Sequence, residues 1–184
     1  MNALYYYVRR NMHVSLRKRK EQKNMKVILL SDSHTNYEAL DIVRNKYKDA
    51  DLMVHCGDCL LKPEKMKGFL AVHGNLDNPR ELPLEETITF GEHRILIKHG
   101  HDVIIGAMPD YRRLAAYAKE KGFNTVFFGH THTYCDQTVD GVRLLNPGSV
   151  WKNRDGSPAC LMELTMTKTT ISAKRVTMID LRFS

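Results

Sequence analysis

"MKVILLSDSH", residues 25–34, decides the fold: an apolar run through Leu30 stops at Ser31 and Asp32, and His34 follows two positions later. Such a run closed by polar turn residues reads as a buried strand. The pattern recurs. "DLMVHCGD" (51–58), "GFLAVHGN" (68–75), "HRILIKHG" (93–100) and "NTVFFGH" (124–130) each carry an apolar run into a glycine paired with Asp, Asn or His. After the first strand, Thr35 and Glu38 have capping-box spacing, and Leu40, Val43 and Tyr47 share one helical face. Strand, helix and strand in succession predict an α/β chain with parallel pairing through helical crossovers.

The remaining elements follow from turn chemistry. "TITF" (87–90) pairs with the strand that begins at His93 through a turn at Gly91. Pro109 is expected to open a helix with Tyr111, Leu114, Ala115 and Ala118 on one face, closed by Gly122. "CDQTVDGVRLLNPGS" (135–149) reads as a hairpin turning at Asp140–Gly141, and "PACLMEL" and "TTISAKRV" supply the last strands.

A chain of 184 residues with 42% hydrophobic content suits one domain with a proper core. No apolar stretch reaches the ~20 residues that span a bilayer. Four scattered cysteines make no secreted disulfide framework, so a cytoplasmic location is the expectation. The net charge of +7 is unevenly placed: residues 1–24 hold seven of the 28 basic residues and one of the 21 acidic ones, hence +6. The remainder is nearly neutral, which disfavours a broad nucleic-acid face. Residues 1–24 are expected to be a dispensable basic extension, or residues upstream of a start at Met25, with residues 25–184 forming the domain.

The strand ends carry the chemistry. Asp32-x-His34, Gly57-Asp58, Gly74-Asn75, His99-Gly100-His101 and Gly129-His130-x-His132 fall at five of them. In open α/β sheets, sites form beyond the carboxyl ends of strands. Aspartates, one amide and several imidazoles form a mixed nitrogen and oxygen donor set. That set suits Mn²⁺, Fe²⁺, Co²⁺, Ni²⁺ or Zn²⁺ better than Ca²⁺ or Mg²⁺. Seven donors exceed what one ion needs, and two ions ~3.5–4 Å apart would use them to clamp a phosphoryl group.

D-x-H, G-D, G-N, a later His and G-H-x-H, in this order, resemble the calcineurin-like metallophosphoesterases. With "HGH", "GHTH" and "NPGS" the chain is similar to their small bacterial and archaeal phosphodiesterase branch. The resemblance implies a two-sheet β-sandwich flanked by helices. It also implies a phosphodiesterase that hydrolyses a small phosphodiester with water activated between two divalent ions. Mn²⁺ is the expected metal, with Ni²⁺, Co²⁺, Fe²⁺ or Zn²⁺ as alternatives. By the same resemblance Asp32, His34 and His132 hold one ion, Asn75, His99 and His130 the other, and Asp58 bridges. "NPGS" would form a turn beside the pocket, either as an ordinary turn or in contact with substrate.

One position departs from a common pattern of the family, in which a histidine after G-N can protonate the leaving group. Here Leu76 stands there. His101 is the candidate catalytic substitute, with a bystander role as the alternative. Asp77 reads as a loop cap or a substrate contact. Cys56-x-x-Cys59 encloses Asp58 and is not expected to act in redox chemistry; His55, His73 and Trp151 read as packing residues. Two rivals stand beside the phosphodiesterase: a protein-interaction scaffold, as in a retromer subunit of this fold, and a nuclease. Homo-oligomerisation is left open.

Overall fold

The computed structural model describes residues 24–104 and 110–183. The basic extension, apart from Asn24, and Pro109 as a helix opener lie outside the described residues. The elements are β1 (Asn24–Leu30), α1 (Tyr37–Lys46), β2 (Leu52–His55), β3 (Phe69–Ala71), β4 (Glu85–Phe90), β5 (His93–Lys98), α2 (Arg112–Glu120) and β6 (Thr125–Phe127). They continue with β7 (Tyr134–Val139), β8 (Val142–Pro147), β9 (Cys160–Thr167), β10 (Ile171–Thr177) and α3 (Met178–Phe183). A 3₁₀ turn, Pro63–Met66, leads into β3.

Two mixed five-stranded sheets result, ordered β10-β9-β1-β2-β3 and β4-β5-β6-β8-β7. The predicted parallel pairings occur as β1–β2–β3 in the first sheet and β5–β6–β8 in the second. Hairpins supply three of the four edges, β10, β4 and β7, and β3 closes the fourth in parallel with β2. The β7–β8 turn lies at Asp140–Gly141, where both residues have positive φ, as a two-residue hairpin turn requires.

The apolar run of β1 has no polar alternation because both of its faces are covered. Val27 and Leu29 point between the sheets, toward Ile95, Ile97, Phe127 and Leu145. Ile28 and Leu30 point outward, into a cluster with Leu40 and Val43 of α1 and Leu181 of α3. On the far side Leu96, Val126 and Leu144 pack against Leu114, Ala115 and Ala118 of α2. The layers are therefore helix, sheet, sheet, helix. Among the described residues no helix is long and apolar enough to cross a membrane.

The start of α1 differs from the expected capping box. Asn36, not Thr35, caps the helix, its side-chain oxygen accepting from the Ala39 N–H at 3.1 Å. Thr35 has φ 67° and belongs to the turn that carries His34, so it cannot take the extended geometry of a cap. Helix α2 begins at Arg112, and Gly122 closes it with positive φ.

Candidate metal centre

The carboxyl ends of the parallel strands in both sheets face the same end of the sandwich, and backbone hydrogen bonds bind their turns together. Within the first sheet, Asp32 N–H donates to Gly57 O at 3.0 Å and His34 N–H to Asp58 O at 3.1 Å. Within the second, Gly129 N–H donates to His99 O at 3.1 Å. Between the sheets, His130 N–H donates to Asp32 Oδ2 at 3.1 Å, and His99 Nδ1 donates to Cys56 O at 2.7 Å.

Five predicted ligands take backbone conformations that side-chain-bearing residues rarely adopt: Asp32, His34, Asp58, His130 and His132 have φ of 55°, 43°, 53°, 69° and 53°. Asp and His tolerate this region better than most residues. Even so, sparsely populated conformations cost roughly 1–3 kcal/mol each, against a net domain stability of ~5–15 kcal/mol. The cross-strand clamps hold these turns, and so concentrated a set of unfavourable conformations points to function rather than packing.

The glycines serve two purposes. Gly57 turns the chain with φ 97°. Gly74 and Gly129 are instead needed for space: a Cβ on Gly74 would overlap Asp58 Oδ1, and one on Gly129 would overlap Ser31 Oγ. Both lie where two ligand turns meet.

At the centre is Asp32, fully buried, whose Oδ1 has no hydrogen-bond partner. His132 Nε2 lies 3.1 Å from it, and His34 Nε2 and His99 Nε2 lie 4.0 Å away. His34 Nε2 and His132 Nε2 are 3.1 Å apart, and His99 Nε2 is 3.3 Å from Asp58 Oδ2. Donors bound at ~2.0–2.2 Å to one ion stand roughly 3–4 Å from each other, so these spacings fit a cation. Among the described residues two groups could hold one: Asp32, His34 and His132; and Asp32, Asp58 and His99.

Ring orientation supports the same use. A carbonyl can only accept, so His132 Nδ1–H donates to Lys152 O at 2.9 Å, as His99 Nδ1–H does to Cys56 O. In each neutral ring Nε2 then carries a lone pair toward the carboxylates, which is how second hydrogen bonds commonly orient metal-binding imidazoles.

Burial alone would raise Asp32, but the close His132 imidazole and the charge on His99 outweigh it and hold Asp32 below its usual range. Asp58 sits at about 2: burial opposes ionisation, but the His99 contact, the Leu76 N–H and the field of His34 prevail. The same carboxylates overcome burial to raise His99 and His132. Burial lowers His34, and burial with the charge of His99 lowers His101 and takes His130 to about 4.

A pH dependence follows for the metal-free protein. Burial also holds His55 at about 4. His55 and His130 are thus neutral in the folded chain where an unfolded chain, at about 6.5, binds protons. Their contribution is present above pH ~6.5 and lost as pH falls toward 4. Over that window His99 and His132, raised when folded, keep their contribution, so these two do not offset the loss. Thermal unfolding should show Tm falling steadily from pH 6.5 to 4.5; a flat or rising Tm would contradict these environments.

Asn75 is exposed on the turn after β3, flanked by Gly74, which abuts Asp58, and by Leu76, whose N–H donates to Asp58 Oδ1 at 2.9 Å. His130 stands with its ring 5.2 Å from that of His99. His101 lies 5.6 Å from His99, and its buried Nδ1 has no partner. His55 is a packed residue that bonds Ser33 Oγ and the Gly57 N–H. The ring of His73 neighbours that of His101 at 5.9 Å. Asp77 is a loop cap, accepting from Gly74, Cys59 and Leu60 N–H groups. All four cysteines are free, and Cys56 and Cys59 are buried with thiols pushed up by burial, far from redox reactivity.

Three features escaped the sequence. "NPGS" is a buried latch: Asn146 Nδ2 donates to Gly129 O at 2.7 Å and Ser149 Oγ to Asp32 O at 2.8 Å. Neither side chain is open to substrate. Lys98 is fully buried and pairs with Asp102 at 2.6 Å and Glu85 at 3.1 Å, pinning the "HGHD" turn. Its signal was a lysine at the end of an apolar strand. Trp151, expected to pack, is 53% exposed beside His34.

The chain is 32% identical over 129 residues to a probable metallophosphoesterase of Bacillus subtilis, covering 68% of this chain and 75% of that one. A Streptococcus pneumoniae structure described as a predicted phosphoesterase aligns with TM-score 0.75 and 25% identity over 84% of this chain and 90% of the other. The structure of an archaeal phosphodiesterase shares the fold, with TM-score 0.61 and 20% identity over 83% of this chain and 100% of the other. Residues 25–169 match the calcineurin-like phosphoesterase superfamily domain, and with its Asp and His groups gathered at the strand ends the chain belongs to that family.

Proposed function

We propose that this protein is a phosphodiesterase that works with two divalent cations. The observation that carries the proposal is the buried, unpartnered Asp32 Oδ1, with three imidazole nitrogens within 4.0 Å of it. Buried polar atoms are normally hydrogen-bonded; the nearest group to this oxygen is His132 Nε2 at 3.1 Å, and with Nδ1–H given to Lys152 O a neutral ring turns a lone pair toward it rather than a proton. A cation between them would satisfy both. Asp32, His34 and His132 would hold one ion and Asn75, His99 and His130 the other. Asp58 would lie between them, and its field reaches both His34 and His99. When bound, such ions lower the pKa of water and take up charge on phosphoryl oxygens. The chain's own residues supply orientation: Lys152 O and Cys56 O fix two rings, and Ser149 holds the Asp32 backbone.

Keeping all seven donors supports an enzyme over a scaffold, and the nearly neutral domain supports a small diester over nucleic acid. The choice of diester over monoester rests on likeness to the phosphodiesterase branch. The test is a metal-by-substrate screen on stripped protein reloaded with Mn²⁺, Ni²⁺, Co²⁺, Fe²⁺ or Zn²⁺. It should give near two ions per chain and faster hydrolysis of aryl diesters than of monoesters, with cyclic nucleotides as a third class. A ceiling of one ion defeats the paired site, and no turnover with any metal defeats the enzyme.

A further inference from the structure

Trp151 is the chain's single tryptophan, and it is 53% exposed at the rim of the metal centre. Its ring lies 5.1 Å from that of His34, at 57° to it. A single exposed hydrophobic residue needs no explanation by itself, but an aromatic ring fixed beside a site offers a flat apolar face to a planar ligand. A mobile loop tip could carry such a side chain by chance. This segment is not one. Trp151 N–H and Lys152 N–H both donate to Ser149 Oγ, at 3.0 and 2.9 Å, while that hydroxyl donates to Asp32 O. On its other side Arg154 N–H donates to His132 O at 2.9 Å, and the buried Asn153 accepts from Ser149 N–H at 2.7 Å. Residues 149–154 are thus fastened to proposed ligand residues at both ends.

We propose that Trp151 is a stacking platform for a planar aromatic arm of the phosphodiester, one ester linkage from the phosphorus held at the metal centre. Building on the phosphodiesterase reading, this narrows the substrate class to diesters carrying an aryl group or a nucleobase. The exposed Arg154, whose Nη1 lies 3.4 Å from His130 O, adds a positive charge along the same rim. Stacking on an aromatic side chain tolerates any planar ring and contributes enough for about a tenfold or larger preference.

Because Trp151 is the only tryptophan, its emission reports on the platform directly and without turnover. The full chain loaded with Zn²⁺ should be titrated with diphenyl phosphate, a thymidine methyl phosphodiester and dimethyl phosphate. The aromatic probes should change the emission and bind at least about tenfold more tightly than dimethyl phosphate. Calorimetry on variants should find the preference largely kept in Trp151→Phe and absent in Trp151→Ala, with equal metal content. The tighter of the two aromatic probes identifies the arm as aryl or nucleobase. Equal affinity for all three probes in the parent, or a preference surviving Trp151→Ala, overturns the platform. If Trp151→Ala loses metal, the parent's emission and the Phe variant still decide. Aromatic preference without any diester hydrolysis would keep the platform and remove the catalytic reading; hydrolysis without the preference would do the reverse.

Discussion

An Asp58→Asn protein is expected to fold, to bind at most one Mn²⁺ per chain where the parent binds near two, and to hydrolyse an aryl diester at least ~10³-fold more slowly. The fold should survive because the asparagine carbonyl can still accept from Leu76 N–H, the 2.9 Å bond that Asp58 Oδ1 makes now. What disappears is the negative charge that lies 3.3 Å from His99 Nε2 and acts on His34 as well. A cation's stabilisation of phosphoryl charge is worth several kcal/mol, and each ~1.36 kcal/mol is tenfold in rate, so losing a shared ligand reaches the stated factor. Asp32→Asn is the companion variant, because Asp32 is the carboxylate common to both donor groups by distance. If Asp58→Asn retained two ions while Asp32→Asn retained none, Asp32 would be the bridge. Turnover within tenfold of the parent in both variants would remove the two-ion site altogether.

The strands that position the site were legible because burial on two faces leaves an unbroken apolar run, and β1, β2, β3 and β6 all carry one. The residues at their ends were legible because Asp, Asn and His beside glycine are what a turn bearing ligands requires. What failed to show was whatever depends on contacts distant in sequence. Asn146 and Ser149 look like an ordinary Asn-Pro turn, and only the fold reveals that they reach Gly129 and Asp32. Thr35 has the spacing of a cap, but its backbone is committed to presenting His34. A lone aromatic beside "NPGSV" reads as a packing residue, but Trp151 N–H donates to Ser149 Oγ and the ring lies out beside His34. That Asp32 stands within reach of both donor groups is likewise a fact of sheet-on-sheet packing, beyond any local pattern.

Activated aryl diesters are expected to outrun alkyl diesters by a wide margin, and His101→Ala should leave that dependence nearly unchanged. A positioned general acid contributes ~10²–10⁴-fold by protonating the departing oxygen. The position that follows Gly74-Asn75 offers none: Leu76 is half exposed, held by its N–H on Asp58, and its side chain has no proton to give. His101 is near enough to be considered, with its ring 6.4 Å from that of His130. Its electrostatics oppose the role. Burial and then the charge on His99 lower it from 6.5, so near neutrality it is largely a neutral imidazole, a poor acid. Cations bound at the adjacent donors would lower it further, since like charges disfavour the protonated ring. On the proposed phosphodiesterase reading the leaving oxygen would then depart without a proton from either residue, and rates should fall steeply as the leaving group becomes more basic. The measurement is a leaving-group series on metal-loaded parent and His101→Ala, with metal content verified in each. If the variant loses alkyl diesters far more than aryl ones, His101 is the acid after all. A shallow dependence in both proteins would mean that another group supplies the proton that Leu76 cannot.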